Sequence, residues 1–327
     1  MTPTRRGVLA GMASLWALPA WAASATRLVA VHAPGTLDPH RALHPVDGPT
    51  ATYGDLVVGI DAETPATQAF FGAHAARVAV LRGLHLGTED PLRGRRLALT
   101  GRPDPAQPDI VTRLGLAADF GSDGAGGAWK LGRRLSLGGL VDPSRDGGAA
   151  PWFAPSDADR ASIDAWLADR GHIPPADPGP TPRPRAPGAT ATLADDAALV
   201  PGLLDRFRGV RLVGPDAETG LSELWTGLDA LLTALADSGW LDTTLVLLTA
   251  DRGRDLDGVP SASAATLVAG GPVRGGRAWD VTDGTDLVTG GPGVSRPGWA
   301  ELVAGSLAAC GRTGALPGVP AWTAWWA

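Results

Sequence analysis

Cysteine is all but missing from this chain: Cys310 is the single one in 327 residues. That excludes an intrachain disulfide and every cysteine-based metal motif. With Val303, Leu307 and Ala308 nearby, Cys310 reads as a small buried apolar residue and not as a nucleophile. Lysine occurs only as Lys130, so nearly all positive charge is arginine, which we read as codon bias. The formal net charge is −6. No basic stripe exists to neutralise phosphates, which argues against a nucleic-acid partner. Beyond residue 25 nothing approaches the roughly 18 uninterrupted apolar residues of a membrane helix. There is no G-x-S-x-G, no H-E-x-x-H and no Walker loop, and "GAGG" at 124 to 127 is too common a cluster to mean phosphate binding.

What is present begins with an export signal. "MTPTRRGVLAGMASLWALPAWAASA" has an arginine pair, Arg5 and Arg6, an apolar stretch and Ala20-Trp21-Ala22 as an A-x-A cleavage site. Thr4 to Leu9 resembles the twin-arginine signal, whose machinery carries already folded proteins. We therefore expect residues 1 to 25 to be removed and a periplasmic or secreted protein to remain. Losing Arg5 and Arg6 makes its charge more negative still.

From residue 26 to 327 we expect one α/β domain. Runs at 27 to 32, 77 to 83, 209 to 214, 243 to 249 and 264 to 270 are short, rich in Val and Leu and mostly continuous, as strands covered on both faces are. Helix candidates lie between them at about 64 to 76, 194 to 208, 220 to 238 and 298 to 310. The third has Leu221, Leu224, Trp225, Leu228, Leu231, Leu232 and Leu235 at three- and four-residue spacing, one wide apolar stripe. This order predicts a largely parallel central sheet sandwiched by helices. Residues 141 to 192 interrupt it with a Pro/Gly-rich excursion containing "PPADPGPTPRPRAPG", whose prolines remove donors and fix φ.

In open α/β sheets ligands bind beyond the carboxyl ends of the strands, so the residues after each run are the ones to inspect. They are Asp38, His40 and His44 after the first; His85, Thr88, Glu89 and Asp90 after the second; Asp216 and Glu218 after the third; and Asp251, Arg252, Arg254 and Asp255 after the fourth. An Asp there often only caps a turn, which suffices for Asp38 and Asp216 taken singly. Asp251 follows the most hydrophobic run directly and has two arginines near it, so its structural alternative is an Asp-Arg ion pair. His32 lies inside a strand run and reads as a packed core residue. His74 and His172 carry no visible partner.

Residues 193 to 276 carry a resemblance. The long helix, "LDTTLVLLT", "RGR" and "LVAGGPVRGGR" are similar to the C-terminal half of the exported proteins called the domain-of-unknown-function 1501 family, which belongs with the alkaline phosphatase and sulfatase superfamily. The resemblance implies an alkaline phosphatase/sulfatase-like fold. It also implies carboxylates and imidazoles holding one or two divalent metals that activate a nucleophile. The polar positions depart from that pattern. Asp216-Ala217-Glu218 stands for Asp-Thr-His, and Ala250-Asp251-Arg252-Gly253-Arg254 for Ser-Glu-Phe-Gly-Arg. "VPSASAATLVAGG" has neither the acid nor the histidine of Asp-His-Gly.

Asp38, Asp216, Glu218 and Asp251 are thus the candidate metal ligands. The metal would be Ca, Mg or Zn, with an oxygen-only set suiting Ca²⁺ or Mg²⁺. Arg252 opposes a metal by competing for Asp251. We expect it to fill the space of a metal-binding neighbour, although Arg252 and Arg254 would also suit an anionic group. Three functions follow: an exported protein with degenerate metal and catalytic positions, serving binding or envelope assembly with a protein or glycan partner; a metal-dependent hydrolase of phosphate or sulfate esters; or a carbohydrate-binding protein using tryptophans such as those of the terminal "AWTAWWA".

Overall fold

The computed structural model describes residues 25–37, 42–43, 45, 48–60, 65–104, 107–116, 128–132, 192–205, 207–254, 260–261, 263–271, 273–280 and 297–326. The export peptide and nearly all of the Pro/Gly-rich excursion lie outside these residues, as do Asp38, His40, His44 and Asp255.

In chain order the elements are β1 (Arg27–Thr36), β2 (Thr50–Tyr53), β3 (Leu56–Gly59), α1 (Pro65–His74), β4 (Val78–His85), α2 (Pro91–Thr100), α3 (Ile110–Leu116) and β5 (Ala128–Gly132). There follow α4 (Leu193–Ala197), α5 (Val200–Leu204), β6 (Gly209–Val213), α6 (Leu221–Asp237), β7 (Thr244–Arg254), β8 (Pro260–Ser261), β9 (Ser263–Gly270), β10 (Arg277–Asp280) and α7 (Trp299–Ala309). The main sheet has the order β10-β4-β9-β7-β1-β6-β5, with β8 paired to β7. Contacts β10 to β4, β7 to β1, β1 to β6 and β6 to β5 are parallel, and β9 runs antiparallel to both its neighbours. The sheet is therefore mixed but mostly parallel, and the other six strands of that path point their carboxyl ends one way.

Each of the five expected strands forms, and β1 and β7 run four or five residues past their expected ends. The expected helix at 194 to 208 is instead two short helices. Pro201 cannot donate to a preceding carbonyl, so it sits in the first turn of a new helix, α5. Helix α2 lies outside the expected helices, because "PLRGRRLALT" hides its apolar face among arginines. Its boundaries are nonetheless well specified: Asp90 accepts from the Leu92 N–H, Pro91 opens the first turn, and Gly101 at φ +69° closes the last.

Two apolar layers hold the sheet. Successive residues of a strand face opposite sides, so Val29, Val31, Val210, Leu212, Val246 and Leu248 pack on one side with α1 and α6. There the α6 stripe meets Phe70 and Phe71, and Trp225 lies 5.1 Å from Phe70 centroid to centroid. Leu28, Ala30, Leu245 and Leu247 face the other way, toward α2, α3 and α7. Fully burying one such side chain is worth roughly 1.5–3 kcal/mol.

The second layer is not purely apolar. Arg211 on β6 is 1% exposed and pairs through Nη1 with Asp109 Oδ2 at 2.7 Å. Asp109 also accepts from the Thr112 N–H at 2.8 Å, so one carboxylate both caps α3 and holds it over β6. Asp109→Ala would leave the buried guanidinium without this carboxylate. We expect it to lower unfolding free energy in urea by about 3–5 kcal/mol, and a loss under 1 kcal/mol would contradict this role.

Candidate functional site

The carboxyl ends of β1 and β7 meet at an irregularity that builds the site. The two strands pair His32 with Thr249 and Ala33 with Ala250, then slip so that Thr36 lies opposite Arg252. Pro34 has no N–H to give to the ladder, and Gly35 takes φ +92°, a conformation glycine adopts without strain. The freed Gly35 N–H turns to Asp251 and donates to Oδ2 at 2.9 Å. A side chain at position 35 would come within 2.9 Å of the Asp216 carboxylate.

Asp251 is 1% exposed and fully occupied. Arg95, from α2, donates to it as a fork, Nε to Oδ1 at 2.8 Å and Nη2 to Oδ2 at 2.5 Å. Helix α2 reaches this depth because Gly94 lies against the Asp251 backbone carbonyl, where a Cβ would overlap the oxygen. His32, also fully buried, places Nε2 3.0 Å from Oδ1. An ionised carboxylate only accepts, so the hydrogen-bond network assigns the ring proton to Nε2. Nδ1 then accepts from the Thr249 hydroxyl at 2.9 Å. His32, Thr249 and Asp251 share one sheet face by two-residue periodicity, the face that α2 covers.

Charge follows from this packing. Burial by itself raises the Asp251 carboxyl, but hydrogen bonds from Arg95 and His32 outweigh it and hold the group well below the usual carboxylate range. For His32, burial outweighs the attraction of Asp251 and pulls the ring below its ordinary value, so it is neutral near pH 7. The core of the site is one anion, one cation and a neutral donor.

The other expected residues gather around the same bulge in supporting roles. Asp216 Oδ1 accepts from the backbone N–H of Glu218 at 2.9 Å and of Thr219 at 3.3 Å, closing the turn before α6. Glu218, exposed, accepts from the Thr36 N–H at 3.2 Å. Arg252 does not touch Asp251. It donates from Nε to Thr36 Oγ1 at 2.9 Å, and its carbonyl accepts from Leu37. The expected plug is therefore corrected: successive residues of a strand point to opposite faces, so Arg252 cannot follow Asp251 inward, and Arg95 takes the place beside the carboxylate. Arg254 contributes its backbone to the pairing with Pro260, and its side chain lies outside the described residues.

Beyond the bulge, Asp90 caps α2, the Thr88 hydroxyl accepts from Asp90, and His85 is exposed. His74 does have a partner, Asp229 at 2.8 Å. Burial pushes the Cys310 thiol up to about 12, which leaves it inert at neutral pH. Trp325 is buried and donates to the Trp322 carbonyl at 3.0 Å, while Trp322 and Trp326 pack against the same layer. The terminal tryptophans are packing elements, which removes the main support for a tryptophan-lined glycan surface.

The described members of the candidate donor set, Asp216, Glu218 and Asp251, do not fit the divalent metal that the resemblance implies; Asp38 lies outside the described residues. A carboxylate has about four acceptor directions. Those of Asp251 receive two bonds from Arg95, one from His32 and one from Gly35. Both His32 nitrogens are engaged, and Asp216 and Glu218 accept backbone N–H groups. Among the described residues no group of three His, Cys, Asp or Glu is placed to hold a metal ion. No described helix is long and apolar enough to cross a membrane.

The sequence matches no family model and no curated protein. Solved structures do match. The putative sulfatase yidJ from Bacteroides fragilis superposes over 91% of this chain and 77% of its own, with 11% identity and a TM-score of 0.50. A sulfatase from Pseudoalteromonas sp. covers 96% and 73%, with 12% identity and a TM-score of 0.49. A phosphonate monoester hydrolase from Silicibacter pomeroyi covers 91% and 78%, with 12% identity and a TM-score of 0.42. The fold is thus the alkaline phosphatase/sulfatase-like one that the sequence led us to expect. At such identity the likeness speaks for architecture alone.

The two buried groups set a pH dependence of stability. His32 binds its proton less readily folded than unfolded, so stability falls as pH drops below about 6.5, where the unfolded ring protonates. Asp251 is depressed when folded, so a second loss begins below about pH 4. Denaturation midpoints of wild type and His32→Gln, compared between pH 7.5 and 5, should show a flatter profile in the variant. Parallel profiles would contradict the assignment.

Proposed function

We propose that this chain is an exported, non-hydrolytic protein built on the alkaline phosphatase/sulfatase-like fold, akin to the domain-of-unknown-function 1501 family, that acts through binding or assembly at the cell envelope. One observation carries the reading. The carboxylate at the end of β7, where a metal ligand belongs by the resemblance, spends every acceptor direction on Arg95, His32 and Gly35. Metal-assisted attack on a phosphate or sulfate ester needs a cation with an open coordination position, and a saturated carboxylate supplies none. The same occupancy opposes a hydrolase using Asp38, Asp216, Glu218 and Asp251.

Export rests on the first 25 residues, whose arginine pair, apolar stretch and A-x-A site suit the twin-arginine machinery. The mature protein would reach the periplasm or the medium already folded, which agrees with a chain that has one cysteine and no disulfide to form. An envelope protein or a glycan is the partner class this location offers.

Elemental analysis of the purified mature protein, run beside a screen of aryl phosphate and sulfate esters, tests the reading. We expect substoichiometric divalent metal and no turnover above background. Stoichiometric metal together with turnover that disappears in Asp251→Ala would overturn it.

A further inference from the structure

We propose that the Arg95 guanidinium stands in the place of the divalent cation, as a permanent, covalently tethered counter-ion for Asp251. This rests on the preceding reading that the site works without metal, and goes beyond it by naming the group that replaces the metal and the requirement it meets. The buried carboxylate demands a cation whatever the protein does, because an unpaired charge at 1% exposure is strongly unfavourable. Arg95 supplies it with the planar fork that matches a carboxylate's two oxygens.

The surroundings are shaped for this guanidinium. Gly94 removes the one side-chain atom that would hold α2 off the sheet, since a Cβ there overlaps the Asp251 carbonyl oxygen. Asp90, Pro91 and Gly101 fix where α2 starts and stops, so Arg95 projects from a set position. The arginine side chain is itself only 14% exposed. His32 and the Gly35 N–H complete the shell as neutral donors, the role that protein groups around a metal-bound carboxylate also play. The more obvious arginine in sequence, Arg252, is engaged elsewhere by Thr36. The buried pair itself, one carboxylate with one guanidinium, carries no net charge to draw a metal to Asp251.

The consequence is a latent cation site. Removing the guanidinium by Arg95→Ala leaves a cavity lined by the Asp251 carboxylate and the Nε2 side of His32, whose proton has to move to Nδ1, toward the Thr249 oxygen, before Nε2 can ligate a metal, and small cations should enter it. The probes are Zn²⁺, Ca²⁺, Mg²⁺ and guanidinium chloride at millimolar, non-denaturing concentration, each read as a shift in melting temperature. Arg95→Ala should melt roughly 10 °C below wild type. Guanidinium or Zn²⁺ should restore roughly 3–5 °C of that when present well above its dissociation constant. Wild type should respond to no probe and to no chelator.

The double variant Arg95→Ala/Asp251→Asn has neither charge, so it should melt above Arg95→Ala and gain nothing from any cation. Should Arg95→Ala fail to fold, Arg95→Lys keeps the charge and Arg95→Met does not. A folded Lys variant melting well above the Met variant then supports the proposal, and equal melting overturns it. If Arg95→Ala gains from none of the four cations, or melts no lower than the double variant, the proposal fails while the metal-free reading of wild type stands. If wild type itself is stabilised by a divalent metal, both fall.

Discussion

The charge on Asp251 and the need to compensate it without water organise the whole carboxyl edge of the sheet. Three segments that are far apart in sequence converge on that one group: β1 through His32 and Gly35, α2 through Arg95, and β7 through Asp251 itself. Such a cluster is costly to desolvate and pays off only when every acceptor is met. It is met here, and the irregularities nearby follow from it. The slip between β1 and β7, the positive φ at Gly35 and the close approach at Gly94 each place a donor, or the helix that carries one, within reach.

The fold explains why the polar residues congregate. Six strands of the main path share one direction, so the segments that follow β1, β4, β6 and β7 all emerge at the same edge. An alkaline phosphatase/sulfatase-like sheet therefore gathers carboxylates there whether or not they do chemistry. In this chain, Asp90 and Asp216 cap a helix and a turn, Glu218 fastens the β1 bulge, and Asp251 is neutralised by an arginine. Proximity at the edge is a property of the architecture, while catalytic competence is a property of which acceptors remain open.

The sequence revealed the sheet better than the site. Continuous Val/Leu runs marked β1, β4, β6, β7 and β9, because a strand covered on both faces has to be apolar throughout. It was silent on β5 and β10, which lie at the sheet's edges, and on the β2–β3 hairpin. Helix α2 has no clear apolar stripe in the sequence because three arginines break it, yet Asp90-Pro91 is a readable start signal that places Arg95 one turn inside it. For Asp251 the local neighbour Arg252 was the natural candidate. Strand periodicity, applied one residue further, already sends that side chain to the opposite face.

By itself, the sequence determined the order of the five apolar strand runs and the long helix between them, the absence of an intrachain disulfide and the set of polar residues that follow those strands, and it led us to expect an export signal at residues 1 to 25. These are local or compositional properties, decided by periodicity and residue type. Only the tertiary structure decided that Asp251 belongs to Arg95 and His32, because those partners lie 156 and 219 residues away along the chain. Pairing over such distances depends on how deeply one helix settles on a sheet, and that depth is set by packing between segments, here by the missing side chain of Gly94.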